Sequence, residues 1–187
     1  MLLSTWEWIR ICGFLAYFYF TVSIIFGLLR KSPAVKSHKN LLFQLHQSAG
    51  WFGFAAVIVH MLLLIVDQYE PYRIAELLIP FASDYEPVLS GLGTIAFYLF
   101  LMVFLSSDLW LRKMGFSLWK KVHFAVLPAW VISLVHGVLI GTDTVNPFIL
   151  LFYWSTATFV FIFSLIRIIS GQYKKKEKEV KVKPVEV

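Results

Sequence analysis

One apolar run, residues 41–66 (LLFQLHQSAGWFGFAAVIVHMLLLIV), is long enough to cross a lipid bilayer as a single helix. It carries two histidines, His46 and His60, in the pattern H-x13-H. At about 1.5 Å and about 100° per residue, they lie roughly 21 Å apart along the helix axis and within about 40° of one face. Gly50 and Gly53 lie between them on that face, so we expect a large flat molecule such as a porphyrin to approach the backbone there.

The composition of the whole chain agrees with a membrane protein. With 59% hydrophobic residues among 187, it predicts one integral membrane helical domain. The formal charge of +6 does not indicate a nucleic-acid partner, because the basic residues cluster at the ends of apolar runs and in the C-terminal segment. A single cysteine, Cys12, excludes a disulfide framework or a thiolate metal site, and the absence of C-x-x-C-H excludes thioether-linked heme.

Five apolar runs predict an all-α bundle of five transmembrane helices. Basic residues gather between the first and second runs and between the third and fourth, so these turns are predicted to be cytoplasmic. The N-terminus is then outside, and the C-terminus is in the cytoplasm. The predicted spans are residues 6–29, 41–66, about 89–111, about 118–140 and 147–167.

The remaining segments are predicted from their length and charge. The first run lacks a basic leader and a small-residue cleavage site, so it is predicted to be a retained helix. The acidic segment 67–88 belongs outside, and its apolar part, residues 74–81, is too short to cross, which predicts a short interfacial helix. Residues 172–187 are charged and repetitive, which predicts a disordered basic cytoplasmic tail after a membrane domain of residues 1–171.

A second histidine pair lies in the fourth span, where His123 and His136 form the pattern H-x12-H. Spans two and four run in the same direction, so His46 shares a membrane depth with His123, and His60 with His136. Neutral imidazole is a strong axial ligand of heme iron, and two at one depth on facing helices can hold a porphyrin between them. The four histidines therefore predict two hemes.

Other roles are known for histidines in membranes. A single membrane histidine can be a polar contact or a proton relay, but two pairs at near-equal spacing favour the heme ligands. His38, the fifth histidine, lies in the cytoplasmic loop and is expected to be solvated. Aromatic residues between the two levels are expected to serve packing. Candidate partners for heme propionates are Lys39, Arg112, Lys120 and Lys121 inside, and Arg73 outside.

The spacing in the fourth span poses a geometric problem. On an ideal helix, the H-x12-H pattern leaves His136 about 140° out of phase with His123. Pro128 lies between them and can interrupt the hydrogen-bond ladder. We therefore expect a break in this span, although the direction of the resulting rotation does not follow from the sequence. Gly137 and Gly141 offer close approach near the outer level.

These features resemble the ferric reductase-like transmembrane domain, a family that includes ferric reductases, the membrane half of NADPH oxidases and the heme subunit of bacterial methionine sulfoxide reductase systems. The resemblance rests on H-x13-H, H-x12-H, LWKKVHF and HGVLIGTD, and covers about residues 41–163, with the first helix only loosely included. It implies two b-type hemes, the inner held by His46 and His123 and the outer by His60 and His136. It also implies electron transfer across the bacterial cytoplasmic membrane, one electron at a time.

Larger members of that family carry a cytoplasmic flavin and nicotinamide domain, for which this sequence shows no pattern. We therefore expect a separate electron donor, either a cytoplasmic flavoprotein or quinol, and an extracytoplasmic acceptor such as ferric iron. Three alternatives stay open at this point. They are a quinol-dependent heme subunit of an extracytoplasmic reductase of the methionine sulfoxide type, a heme-binding membrane module without turnover, and a heme-free helical scaffold or transporter.

Overall fold

The computed structural model describes the backbone of residues 4–30 and 32–182, and this part of the chain is all-α. Its side chains are described up to residue 170, apart from residues 33, 34 and 36. Two short 3-10 segments, Pro33–His38 and Thr142–Val145, join longer α-helices. The α-helices are α1 (Thr5–Leu29), α2 (Lys39–Ile65), α3 (Ile74–Leu78), α4 (Pro87–Asp108), α5 (Leu111–His123), α6 (Val126–Ile140) and α7 (Pro147–Val182).

Five segments of the described chain are long and apolar enough to cross a membrane. They are α1, α2, α4, the joined segment Leu111–Ile140 and the part Pro147–Ser170 of α7. The predicted number and positions of the spans are therefore confirmed. The short helix expected in the acidic loop is also present as α3, which has five residues. The placement of the two termini on opposite sides of the membrane stays a prediction.

Three of the helices, α1, α4 and α7, begin at residues that favour the start of a helix. At the start of α1, the Ser4 hydroxyl accepts a hydrogen bond from the Glu7 backbone N–H at 3.3 Å. The Glu7 carboxylate accepts one in return from the Ser4 backbone N–H at 2.8 Å, which completes a capping box. Pro87 and Pro147 each occupy the first position of a helix, where the missing N–H costs no hydrogen bond.

The fourth span is kinked at Gly115, whose φ of 74° is not helical, and it is broken again within residues 118–140, where the single predicted helix is instead the end of α5 followed by α6. The break lies at Phe124 and Ala125, and there the Leu127 N–H donates to the Phe124 carbonyl at 3.2 Å, in the tighter pattern of a 3-10 turn. Pro128 has no N–H to offer that carbonyl, and its ring would clash with it in a regular helix. The predicted interruption near Pro128 is confirmed, one turn before the proline.

α7 extends further than expected. Its backbone is helical through Val182, so residues 172–182, predicted to be disordered, continue the helix. Lys and Glu, which dominate this segment, are good helix formers, and lengthening an existing helix requires no new nucleation. Residues 183–187 lie outside the described part. The division between a membrane domain and a tail at residue 171 stays a prediction.

The helices that carry histidines each pack against a helix that carries none. The two most extensive pairings are α1 with α2 and α4 with α6. α1 and α4 also meet in the centre, where the rings of Phe20 and Phe100 stack with centroids 3.8 Å apart. The indole of Trp130 is buried there and donates a hydrogen bond to the Thr21 hydroxyl at 2.8 Å. The bundle thus holds α2 and α6 around a shared aromatic interior.

Candidate functional site

The first candidate site is the inner pair, which consists of His46 in α2 and His123 at the last residue of α5. Their ring centroids are 6.0 Å apart, and the ring planes are inclined at 69°. Two imidazoles bound to one metal ion through bonds of about 2.0–2.1 Å would have their ring centres about 6 Å apart. The inner pair therefore has the spacing that a shared metal ion requires.

The second candidate site is the outer pair, His60 in α2 and His136 in α6. Both line one cavity of about 210 Å³ between α1, α2, α4 and α6. Phe20 and Phe100, the stacked rings of the interior, also line this cavity. The structure therefore brings the four predicted histidines together as the two predicted pairs, despite the unequal spacings in the sequence. His38 is exposed and belongs to neither pair.

Three of the four imidazoles donate a hydrogen bond to a backbone carbonyl of a neighbouring helix. In each case the donor is Nδ1, because a carbonyl oxygen can only accept. A neutral ring protonated at Nδ1 carries its lone pair on Nε2, which is the form that binds a metal ion. The three bonds run from His46 to Ser23 at 2.8 Å, from His60 to Ile9 at 2.9 Å and from His136 to Leu89 at 2.7 Å.

A glycine makes room for each of these three imidazoles. It lies one helical turn after the carbonyl that the histidine bonds, on the same face of the neighbouring helix. A Cβ atom at these glycines would meet the ring at 3.2, 3.3 and 2.8 Å respectively, closer than ordinary contact. The glycines are Gly27 for His46, Gly13 for His60 and Gly93 for His136.

Gly50 and Gly53, which were expected to give open access to the backbone, have another role. Both are buried, and a Cβ at Gly53 would lie 2.9 Å from Cδ1 of Phe20. A Cβ at Gly50 would lie 3.5 Å from Cζ of Phe104. In this structure they lie against side chains of α1 and α4, and the expectation of a porphyrin against this backbone stays a prediction. Gly137, in contrast, does line the outer cavity.

The supporting glycines have a signal in the sequence that the histidine pattern alone does not reveal. Gly13 and Gly27 have the same separation in α1 as His46 and His60 have in α2. Because the two helices are antiparallel neighbours, equal spacing lets both histidines meet both glycines in one register. A repeated small residue at the spacing of a histidine pair in an adjacent span thus indicates the packing partner.

Three charged residues line the outer cavity, namely the basic Arg10 and the acidic Glu76 and Asp143, and Arg10 forms an ion pair with Asp143. Arg73 was the residue expected to bind heme propionates on the outer side. It is exposed, and its backbone N–H donates to the Glu76 carboxylate at 2.6 Å at the start of α3. A role of Arg73 as the outer propionate partner stays a prediction. Arg10 does line the cavity, and it lies near the start of α1, where the sequence does not distinguish it from an ordinary flanking charge.

Each pair offers two imidazoles, and a metal ion held by two protein ligands must bring its other donors with it. Porphyrin iron does so, since the ring nitrogens fill the remaining plane. In the described part of the chain, no group of three or more His, Cys, Asp or Glu side chains is placed to hold a metal ion. The donor sets at both pairs therefore fit heme iron.

Comparison with known protein families gives a match over much of the chain. The family described as ferric reductase like transmembrane component matches residues 12–134. The match includes most of α1, which the resemblance in the sequence covered only loosely, and it contains His46, His60 and His123. His136 lies just beyond its end. No curated protein and no solved structure matches the chain.

Proposed function

This chain belongs to the ferric reductase-like transmembrane family, and we propose that it carries electrons across a membrane as a diheme b-type cytochrome. The observation that carries the proposal is the arrangement of four histidines as two pairs, three of them held by carbonyls as Nδ1–H tautomers. The family and the five spans make it a multi-pass membrane protein. We place it in the bacterial cytoplasmic membrane.

In this proposal the inner heme is held by His46 and His123, and the outer heme by His60 and His136, through Nε2. Heme iron, when bound, accepts and releases one electron at a time. Arg10 on the wall of the outer cavity offers a guanidinium group to porphyrin carboxylates. Along α2 the two levels are roughly 21 Å apart, which is most of the ~30 Å bilayer core. Two hemes at these levels therefore shorten the path across the membrane.

We assign the donor side to the inner pair and the acceptor side to the outer pair. The basic residues Lys120 and Lys121, next to His123 in α5, suit an acidic flavoprotein partner, and quinol from the membrane is the other candidate donor. The acidic loop beyond α2 suits a cationic acceptor such as ferric iron. The chain then acts as the membrane subunit of an oxidoreductase.

Heme content gives the direct test of this function. The protein purified from heme-replete cells is expected to contain two hemes per chain, with the dithionite-reduced spectrum of low-spin b-type heme. Protein from heme-depleted cells, reconstituted with heme afterwards, serves as the control for specific binding. A colourless protein, or one with heme that no flavoprotein or quinol reduces, would exclude electron transfer through these sites.

The orientation of the termini can be tested independently. A reporter that is active only outside the cytoplasm is expected to work when fused to the N-terminus and to fail at the C-terminus, because the basic turns are retained inside. A cytoplasmic reporter should give the reverse pattern. If the first reporter worked only at the C-terminus, the inner and outer assignments would have to be exchanged.

A further inference from the structure

His123 has a serine hydroxyl beside its ring, in the place where the other three histidines have a carbonyl. Its Nδ1 lies 3.3 Å from the hydroxyl of Ser107 in α4. Ser107 donates its single proton to the Val103 carbonyl at 2.7 Å, and it accepts a hydrogen bond from the indole of Trp119 at 3.2 Å. With its proton on the Val103 carbonyl, the hydroxyl accepts toward His123, and this arrangement corresponds to a ring protonated at Nδ1.

The position of Ser107 follows the pattern of the other three sites. In α4, Leu89 supplies the carbonyl for His136, and Gly93 lies one turn after it. Val103 and Ser107 repeat this arrangement further along α4. The separation between the two arrangements equals that between His46 and His60 in α2. At the second repeat a serine replaces the glycine. Its hydroxyl links the imidazole to the carbonyl that accepts directly at the other sites. Three sites therefore use a carbonyl directly, and the fourth uses a hydroxyl relay.

The hydroxyl is a weaker acceptor for His123 than the carbonyls are for the other three histidines. Its bond is the longest of the four, 3.3 Å against 2.7–2.9 Å, and the hydroxyl is shared with Trp119. The acceptor at one ring nitrogen governs the basicity of the other, and the basicity of the axial ligand contributes to the reduction potential of heme iron. The Trp119 ring, 4.9 Å from that of His123, also packs against it.

We propose that Ser107, which donates to the Val103 carbonyl and accepts from both Trp119 and His123, is a positioning residue that orients His123 and sets the reduction potential of the inner heme separately from that of the outer heme. The proposal rests on the proposed diheme function. The outer heme has a carbonyl acceptor behind both of its ligands. On the inner side, His46 has the Ser23 carbonyl at 2.8 Å with the Ser23 hydroxyl at 3.0 Å, whereas His123 has the Ser107 hydroxyl at 3.3 Å. Ser107 is thus a source of difference between the two levels.

The test compares redox titrations of Ser107→Ala and Ser107→Thr in the full-length, heme-loaded protein. Ser107→Ala is expected to raise the midpoint potential of the inner heme, because the Nδ1 proton loses this acceptor and the ligand becomes less basic. Ser107→Thr keeps the hydroxyl and should restore the wild-type value. Titration in a His60→Ala background isolates the inner heme.

Trp119→Phe and Ser155→Ala sharpen the experiment. Trp119→Phe removes the second donor to the Ser107 hydroxyl, so this hydroxyl accepts from His123 alone and the inner potential should fall. Ser155 in α7 is the control, since its hydroxyl donates to the Phe152 carbonyl of its own helix at 2.9 Å, and Ser155→Ala should leave both potentials unchanged. If Ser107→Ala kept both hemes and both wild-type potentials, or shifted only the outer one, the proposal would be overturned.

A heme-free measurement separates failure of this proposal from failure of the proposed function. Nitrogen-15 NMR of the His123 ring in the protein without heme is expected to show the Nδ1–H tautomer, and Ser107→Ala should populate Nε2–H as well. A protein that binds no heme contradicts the diheme function, and this spectrum still decides the role of Ser107. An Nε2–H tautomer in the wild-type protein would contradict the relay itself.

Discussion

Replacement of His123 by alanine is expected to remove the inner heme and to leave the outer one, which lowers the heme content of the protein by about half. Each pair supplies only two axial ligands, so the loss of one leaves the iron with a single protein bond. His46→Ala should have the same effect, because the two rings form one pair with centroids 6.0 Å apart. Heme per chain and the reduced absorption spectrum measure the loss.

The outer pair gives the complementary result. His60→Ala and His136→Ala should each remove the outer heme and retain the inner one. The spectrum of an outer-pair variant and that of an inner-pair variant should therefore add up to that of the wild type. His38→Ala is the matched control, since His38 is exposed and lies outside both pairs. Retention of both hemes in all four variants would show that these histidines are not the ligands.

The spans were predictable because they depend on the composition of each apolar run. The histidine pairs were predictable because they depend on the direction in which each span crosses the membrane. A run of about 20 apolar residues needs no tertiary partner to be recognised as a span. Once the basic turns assign directions to the spans, residues near corresponding ends must share a depth, which places His46 beside His123. The break at Phe124 was predictable for a similar reason, because Pro128 cannot complete the local hydrogen bonding.

The supports of the histidines were not predictable in the same way. Ile9 and Leu89 contribute only their carbonyls, so their side chains carry no signal for the hydrogen bonds that hold His60 and His136. The function of Gly93 depends on which helix packs against α4, and sequence hydropathy does not specify neighbours. The sequence leaves the role of Gly50 and Gly53 open for the same reason, because a glycine on a histidine face can admit either a ligand or a side chain from another helix.

The helical end of α7 shows a different limit. A polar charged segment has no apolar face to bury, which predicts disorder when the segment is considered alone. Residues 172–182 follow a long helix directly, however, so each added residue extends existing structure. The segment is helical because it continues an existing helix, whereas its composition alone predicts disorder.

Gly93→Ala is expected to displace His136 and to cause loss of the outer heme, because the new methyl group would occupy space that the ring fills. A Cβ at this position would lie 2.8 Å from Cε1 and 3.0 Å from Nδ1 of His136. The ring is held by its bond to the Leu89 carbonyl at 2.7 Å, so it cannot move away without losing that bond. Overpacking of this kind costs about 1–3 kcal/mol, which outweighs the gain of at most about 1 kcal/mol from replacing glycine by alanine in a helix.

Gly50→Ala provides the matched control, because a Cβ there would meet its nearest neighbours at an ordinary 3.5 Å. It should keep both hemes and melt at or slightly above the wild-type temperature. Gly27→Ala and Gly13→Ala, with contacts at 3.2 and 3.3 Å, should fall between these extremes, the first affecting the inner heme and the second the outer one. Measurements of heme content and of the thermal unfolding temperature for all four variants give the order of their effects. A Gly93→Ala protein that retained its outer heme and melted no lower than Gly50→Ala would mean that His136 is not confined by α4, and the carbonyl and glycine together would no longer explain how the ring is oriented.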